Sequence, residues 1–361
     1  MYFLKRICSE MVAIVLNDII DVKKWILDRR VVCFFILAPV ATIISAYLSL
    51  DARVYQSIFS SYSSTPWNNL WFEVRGYEAF FLILAKLLNG WPSIVWFGLI
   101  AAISVCLKLA LIEKGSRHFY LSLLIYLSYF FVLQDGTGIR VSLAIAIAFW
   151  GAFLLSKGRW ILAFYIIVCA ALFFHYSLAL FLIVFFFSNK KITYLLVFSW
   201  PLLIFMWWLG GDFITVLNNF LSDVEGGGVV FSKLKSYASQ YYETSAPYSS
   251  QFIFLYFLSI VVFLRFRKEL NLFEVICFNC IFFSIFVLGL LVGAGGLQNR
   301  VSEIFRFGLV FVFPLYYRYC LELVYKPWIA NLITAGFLIG YFYYYVLRAG
   351  LIIWPENWGQ F

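Results

Sequence analysis

The sequence predicts an all-α polytopic integral membrane protein, and three observations carry that prediction. The chain is 64% hydrophobic and only 12% charged, about half the charge fraction of a soluble protein. Apolar blocks of membrane-spanning length recur between residues 31 and 347, whereas the short alternating segments of a barrel are absent. The basic residues punctuate these blocks instead of gathering in one patch, so the net charge of +9 reads as topology-setting and does not point to nucleic acid. The expected layout is one membrane domain over 31–347, with about eleven crossings and one re-entrant helix.

Residues 1–30 lack the apolar stretch of a signal peptide. Instead Val15, Ile19, Val22 and Ile26 fall at helical spacing opposite Asp18, Asp21, Lys24 and Asp28, which predicts an amphipathic helix lying on the cytoplasmic membrane face. Lys23, Lys24, Arg29 and Arg30 hold the start of the first span, 31–50, inside. The polar, Ser-rich stretch 51–75 is then outside. The span 93–112 runs to a basic inner loop, Glu113 to Arg117. The short helix 77–89 cannot also cross without inverting that loop, so it is expected to be re-entrant.

Spans at 118–133 and 139–156 bracket an expected outer turn, Gln134-Asp-Gly-Thr-Gly138. The loops Ser156 to Arg159 and Asn189 to Lys191 are both basic, so an even number of crossings must separate them. The apolar run 160–188 must therefore be a hairpin of two short helices, with His175 near its outer tip. Further spans are expected at 192–209, 250–264, 272–293, 301–317 and 328–347, and the tail 348–361 falls outside. The outer loop 210–249 is too long for a plain connector. Its Tyr237, Tyr241, Tyr242 and Tyr248, with Asp212, Asp223, Glu225 and Glu243, suit either sugar binding or an interfacial aromatic belt. The seven cysteines are scattered through apolar segments and imply no disulfide framework. The Cys277-Phe-Asn-Cys280 pair reads as mid-helix packing.

Charged residues at the outer boundary are the informative ones, because few basic residues belong there. Arg75, Glu78, Arg140, Arg300, Glu303 and Arg306 map to that boundary from separate segments, as does His175, one of two histidines. Arg140 opens a span just after Asp135, and free helical N–H groups beside a guanidinium make an anion site. Arg300, Glu303 and Arg306 share roughly one helix face. The plainer reading of each arginine is snorkelling to lipid headgroups. For His175, with Ser177 beside it, the plainer reading is a hydrogen-bonded structural histidine, and for Glu78 a carboxylate complementing a helix dipole. No P-loop, dinucleotide-binding glycine pattern or zincin motif is present, and no metal or cofactor is expected.

The residues resemble a known family. Gly76-Tyr-Glu-Ala-Phe-Phe81 looks like its GYEPLF element, and Ile139-Arg-Val-Ser-Leu-Ala-Ile-Ala146 is similar to its IRQxLA element. Phe174-His-Tyr-Ser-Leu-Ala179 resembles FHxSAL, and Asn299-Arg-Val-Ser-Glu-Ile-Phe305 resembles xRxxxYF. Ala79, Val141 and Leu178 depart from the pattern without removing a charged group. The ordered set resembles the EpsG-like group of bacterial polysaccharide polymerases, related to Wzy-type O-antigen polymerases.

That resemblance implies a GT-C-like membrane glycosyltransferase in the bacterial inner membrane, with its site facing the exterior. It would transfer a glycan from undecaprenyl pyrophosphate to a lipid-linked repeat unit. Its partners would be the lipid-linked donor and acceptor, membrane lipid, and as a further candidate a chain-length regulator. On that reaction Arg140, Arg300 and Arg306 would hold the donor pyrophosphate without a metal, and His175 or Glu78 would accept the acceptor proton. Arg75, Asp135, Ser177 and Glu303 would support the site, and loop 210–249 would bind the acceptor glycan. A flippase for lipid-linked glycans would instead carry charges at mid-membrane. An O-antigen ligase would share the donor chemistry, and an acyltransferase would need key residues reaching inward.

Overall fold

The computed structural model describes residues 29–49, 51–67, 78–208, 250–291 and 295–343. The expectations for 1–28, Arg75, the loop 210–249 and the tail 348–361 fall outside the described residues. The described chain is helical throughout, and its apolar side chains meet in one large core and a smaller one around Trp96.

Helix α1 spans Arg29–Leu48, and α2 spans Ala52–Ser64. The short helix α3, Ala79–Leu87, is followed by a turn at Gly90, whose φ of 86° no other residue type adopts readily. Then come α4, Ser93–Gly115, α5, Phe119–Thr137, and α6, Ile139–Ser156. Nine residues of α3 cover only about 14 Å at 1.5 Å each, too little to cross a bilayer. The Trp96 indole N–H donates to the Phe81 carbonyl (3.3 Å), fastening α3 along the start of α4. The α3 segment is thus too short to be a span of its own and lies against the bundle.

The segment 160–188 folds as the expected hairpin. Helix α7, Trp160–Phe174, ends at His175, whose backbone is extended, and a 3-10 helix, Tyr176–Phe185, returns. Phe164 and Phe185, near the two open ends of the arms, meet with ring centroids 6.0 Å apart, so the arms run antiparallel. Small residues let α6 and α7 approach closely. A Cβ on Gly151 would lie 2.6 Å from the Ile167 side chain, the close packing expected where lipid supplies no hydrophobic drive between helices.

Helix α8, Lys190–Trp208, follows, then α9, Ser250–Phe266, α10, Leu272–Leu290, α11, Gly295–Arg306, α12, Leu309–Val324, and α13, Pro327–Phe342. One expectation is corrected here. The single span 301–317 is two helices, α11 and α12, bent by 63°. Gly308 sits at the break, where a Cβ would come within 2.7 Å of the Cys277 carbonyl oxygen, so α10 presses against bare backbone.

The basic loops converge on one end of the bundle. Arg117 grips Glu274 through two hydrogen bonds (2.5 and 2.8 Å), and Asn271 and Glu274 form a capping box on α10. Arg29 pairs with Glu113 (2.9 Å), Arg318 with Glu269 (2.5 Å) and Arg265 with Glu322 (2.8 Å). Lys190 donates to the Arg267 carbonyl. The loops assigned to one side from charge alone are therefore neighbours in space. By length and composition, five helices among the described residues suffice to cross a membrane, or up to seven if each of two bent pairs is one span. That is fewer than the eleven expected. The arms of the hairpin are shorter than a full span, and α9 and α13 end where the described residues end.

Candidate functional site

Three of the sequence-predicted residues meet at the end of the bundle away from the basic loops. Glu78 occupies the position before the first turn of α3, Arg140 is the second residue of α6, and His175 is the break between the hairpin arms. The Arg140 guanidinium donates to Glu78 Oε2 at 2.6 Å, and His175 Nδ1 lies 2.6 Å from Glu78 Oε1. Glu78 thus bridges a guanidinium and an imidazole, with side-chain exposures of 8%, 24% and 18% for Glu78, Arg140 and His175.

Local packing explains the convergence. Phe174 wedges against Phe80 (4.6 Å between ring centroids) and Phe81 (6.2 Å), docking the hairpin tip on α3. The amphipathic helix α2 covers the other side, with its buried Tyr55 ring 5.3 Å from the Arg140 guanidinium. The site is also recessed. Ser104 Oγ of α4 lies 2.9 Å from Ser142 Oγ of α6, which sets Arg140 roughly 14 Å along α4 from its N-terminus at 1.5 Å per residue.

Burial disfavours the charge on Glu78, but the His175 hydrogen bond and the Arg140 guanidinium outweigh it and hold the carboxyl below its usual range. An ionised Glu78 can only accept, so Nδ1–H of His175 donates to it. In the neutral ring this leaves Nε2 as the acceptor. Two polar atoms, Arg140 Nε and Ser177 Oγ, are buried without a hydrogen-bond partner among the described residues. A buried orphan donor on Arg140 is one that a polar ligand would satisfy, and Ser177 follows His175 by two residues.

Asp135 has a different place from the one expected. The segment Gln134 to Gly138 is no exposed turn, because the helix continues in π-helical form to Thr137, and Gln134, Asp135 and Thr137 are buried. Asp135 pairs instead with Lys108 of α4 (2.8 Å), both side chains having no exposure. It also accepts from Ser104 (2.6 Å), Ser142 (2.5 Å) and Tyr126 (2.6 Å). Lys108 gives its other protons to Gln134 Oε1 (3.0 Å) and Ser142 Oγ (2.7 Å). Sequence reasoning missed Lys108, although a lone charge in an apolar span is a standing signal of a buried partner.

The α11 residues form a further group. Arg300 is exposed, whereas Arg306 is 2% exposed and donates to Tyr129 (3.1 Å) and Ser302 (2.8 Å). Glu303 lies within reach of both arginine charges and of the Tyr129 hydroxyl. Of the two, Arg306 faces the protein interior and Arg300 does not. Arg306 is drawn into the bundle because Tyr129 and Ser302 supply its acceptors. Among the described residues, no group of three or more His, Cys, Asp or Glu side chains could hold a metal ion.

A model of the EpsG family matches residues 30–355, most of the chain. No curated protein matches, and no solved structure does.

Proposed function

The chain belongs to the EpsG family, a membership that makes it a polysaccharide-polymerase-like membrane protein, and from it we propose that the Glu78, Arg140 and His175 cluster is the glycosyl-transfer site. The observation that carries the reading is Glu78 bridging Arg140 and His175 in a recess, with the buried Arg140 Nε unpartnered among the described residues. The donor is a glycan on undecaprenyl pyrophosphate and the acceptor a hydroxyl of a lipid-linked repeat unit, as in O-antigen assembly. The positive-inside rule puts the basic loops in the cytoplasm and this cluster at the outer face of the bacterial inner membrane.

His175 Nε2 accepts the proton as the acceptor oxygen bonds to the anomeric carbon. The anomeric carbon–oxygen bond breaks, and its electron pair leaves with the lipid pyrophosphate. Arg140 faces the charge developing on that leaving group. Glu78 orients both side chains and favours the charge that forms on His175. Because Glu78 offsets part of the Arg140 charge, a second cation is needed for the pyrophosphate, and Arg300 and Arg306 are the candidates.

Alanine at Arg140 or at Arg300 is expected to abolish chain elongation in cells while the protein still inserts in the membrane. Polymers of normal length in both mutants would sink the assignment. A flippase for the same lipids is the second reading, favoured by the fully buried Lys108–Asp135 pair. That pair is saturated by its own neighbours, which argues against a transported-ion site. A ligase would share the donor half of the mechanism and differ only in its acceptor.

A further inference from the structure

We infer that Lys108 is a positioning residue that acts on the reaction through Arg140. The inference rests on the reading of Arg140 as the pyrophosphate-facing cation. Lys108 touches neither Glu78 nor His175 in any hydrogen bond given above, yet its three protons go to Asp135, Gln134 and Ser142. Those acceptors flank Arg140 in the chain, two just before the start of α6 and one two residues after Arg140.

The clamp grips both sides of a weak point. Gly138 joins α5 to α6, and its N–H reaches back to the Leu133 carbonyl as the π-helix closes. Gly136 leaves no room for a Cβ, which would sit 2.7 Å from Ile44, so the joint is tightly packed on one side. Asp135 is held on the other by four donors from α4, α5 and α6. The ammonium of Lys108 is what allows an ionised Asp135 to remain there without solvent. Without Lys108, Asp135 carries an uncompensated charge and the start of α6 is free to shift, moving Arg140 from Glu78.

The test is a double-mutant cycle read by binding of farnesyl pyrophosphate to the purified protein. Lys108→Met should weaken binding about tenfold in the wild-type background and less than about twofold in an Arg140→Lys background. Equal weakening in both backgrounds, or none in either, would overturn the inference. Arg117→Met breaks a half-buried pair at the far end, with Glu274 fully buried and Arg117 31% exposed, and should lower the melting temperature without changing binding. If it weakens binding as Lys108→Met does, the effect is general destabilisation and the inference falls. Should Lys108→Met fail to fold, Ser142→Ala removes one tie while keeping the ion pair, and must show a smaller loss with the same dependence on Arg140. Unchanged binding in Arg140→Lys alone would count against the proposed function and not against the clamp.

Discussion

Glu78 is a carboxylate with two cationic-side partners and little water, and that decides its chemistry. Its lowered pKa makes it a weak base, so it serves the site by charge and orientation while His175 takes the proton. Glu78→Gln is expected to lower the rate of chain extension on the order of 100-fold, measured as repeat units added per unit time by purified protein. The same substitution should lower the melting temperature near neutral pH. A lowered folded-state pKa stabilises above the unfolded value and that stability is lost as pH falls through the folded value. The gap between wild type and Glu78→Gln should therefore close below about pH 4, the ordinary carboxylate range, in thermal unfolding scans across pH. At this scale the sequence was informative where a charge met a boundary, as at Glu78, Arg140 and His175. It misled at Asp135, because flanking glycines imitate a turn and the partner, Lys108, lies far away in the chain.

The hairpin 160–185 and the bend at Gly308 are the elements that bring the pieces together. The hairpin was legible because two basic loops must lie on one side, a rule that needs no knowledge of packing. The bend was not, because the apolar residues Val301, Ile304 and Phe305 run on into 307–315 with no proline before Pro314, and the approach of the Cys277 carbonyl to Gly308 reveals the break. Gly308→Val should force α10 and α12 apart and destabilise the fold by about 1–3 kcal/mol, read from thermal unfolding in detergent. Arg306, two residues before Gly308, moves with the bend, so the same variant should also shorten the polymer made in cells. Gly336→Ala, at a position where a Cβ meets nothing within 4 Å, should leave both measurements near wild type.

Across the whole molecule, charge is divided between two ends. One end carries the ion pairs Arg29–Glu113, Arg117–Glu274 and Arg318–Glu269, and the other the Glu78 cluster. Replacing Arg117 leaves the buried Glu274 with the Asn271 N–H but without its cation, a loss of about 1–3 kcal/mol, and should reduce the amount of folded protein without changing the products of the protein that remains. The membrane class, and the gathering of the basic loops at one end of the bundle, were legible from composition and charge. The number of crossings was read from segment length, a rule from which short arms and bent helices depart. The central claim is that the Glu78, Arg140 and His175 cluster is the site that joins repeat units. Incubating the purified protein with a single lipid-linked repeat unit tests it most directly. The wild type should produce a ladder of longer glycans and His175→Gln should produce none while still binding farnesyl pyrophosphate. A full ladder from His175→Gln, or none from the wild type, would contradict it.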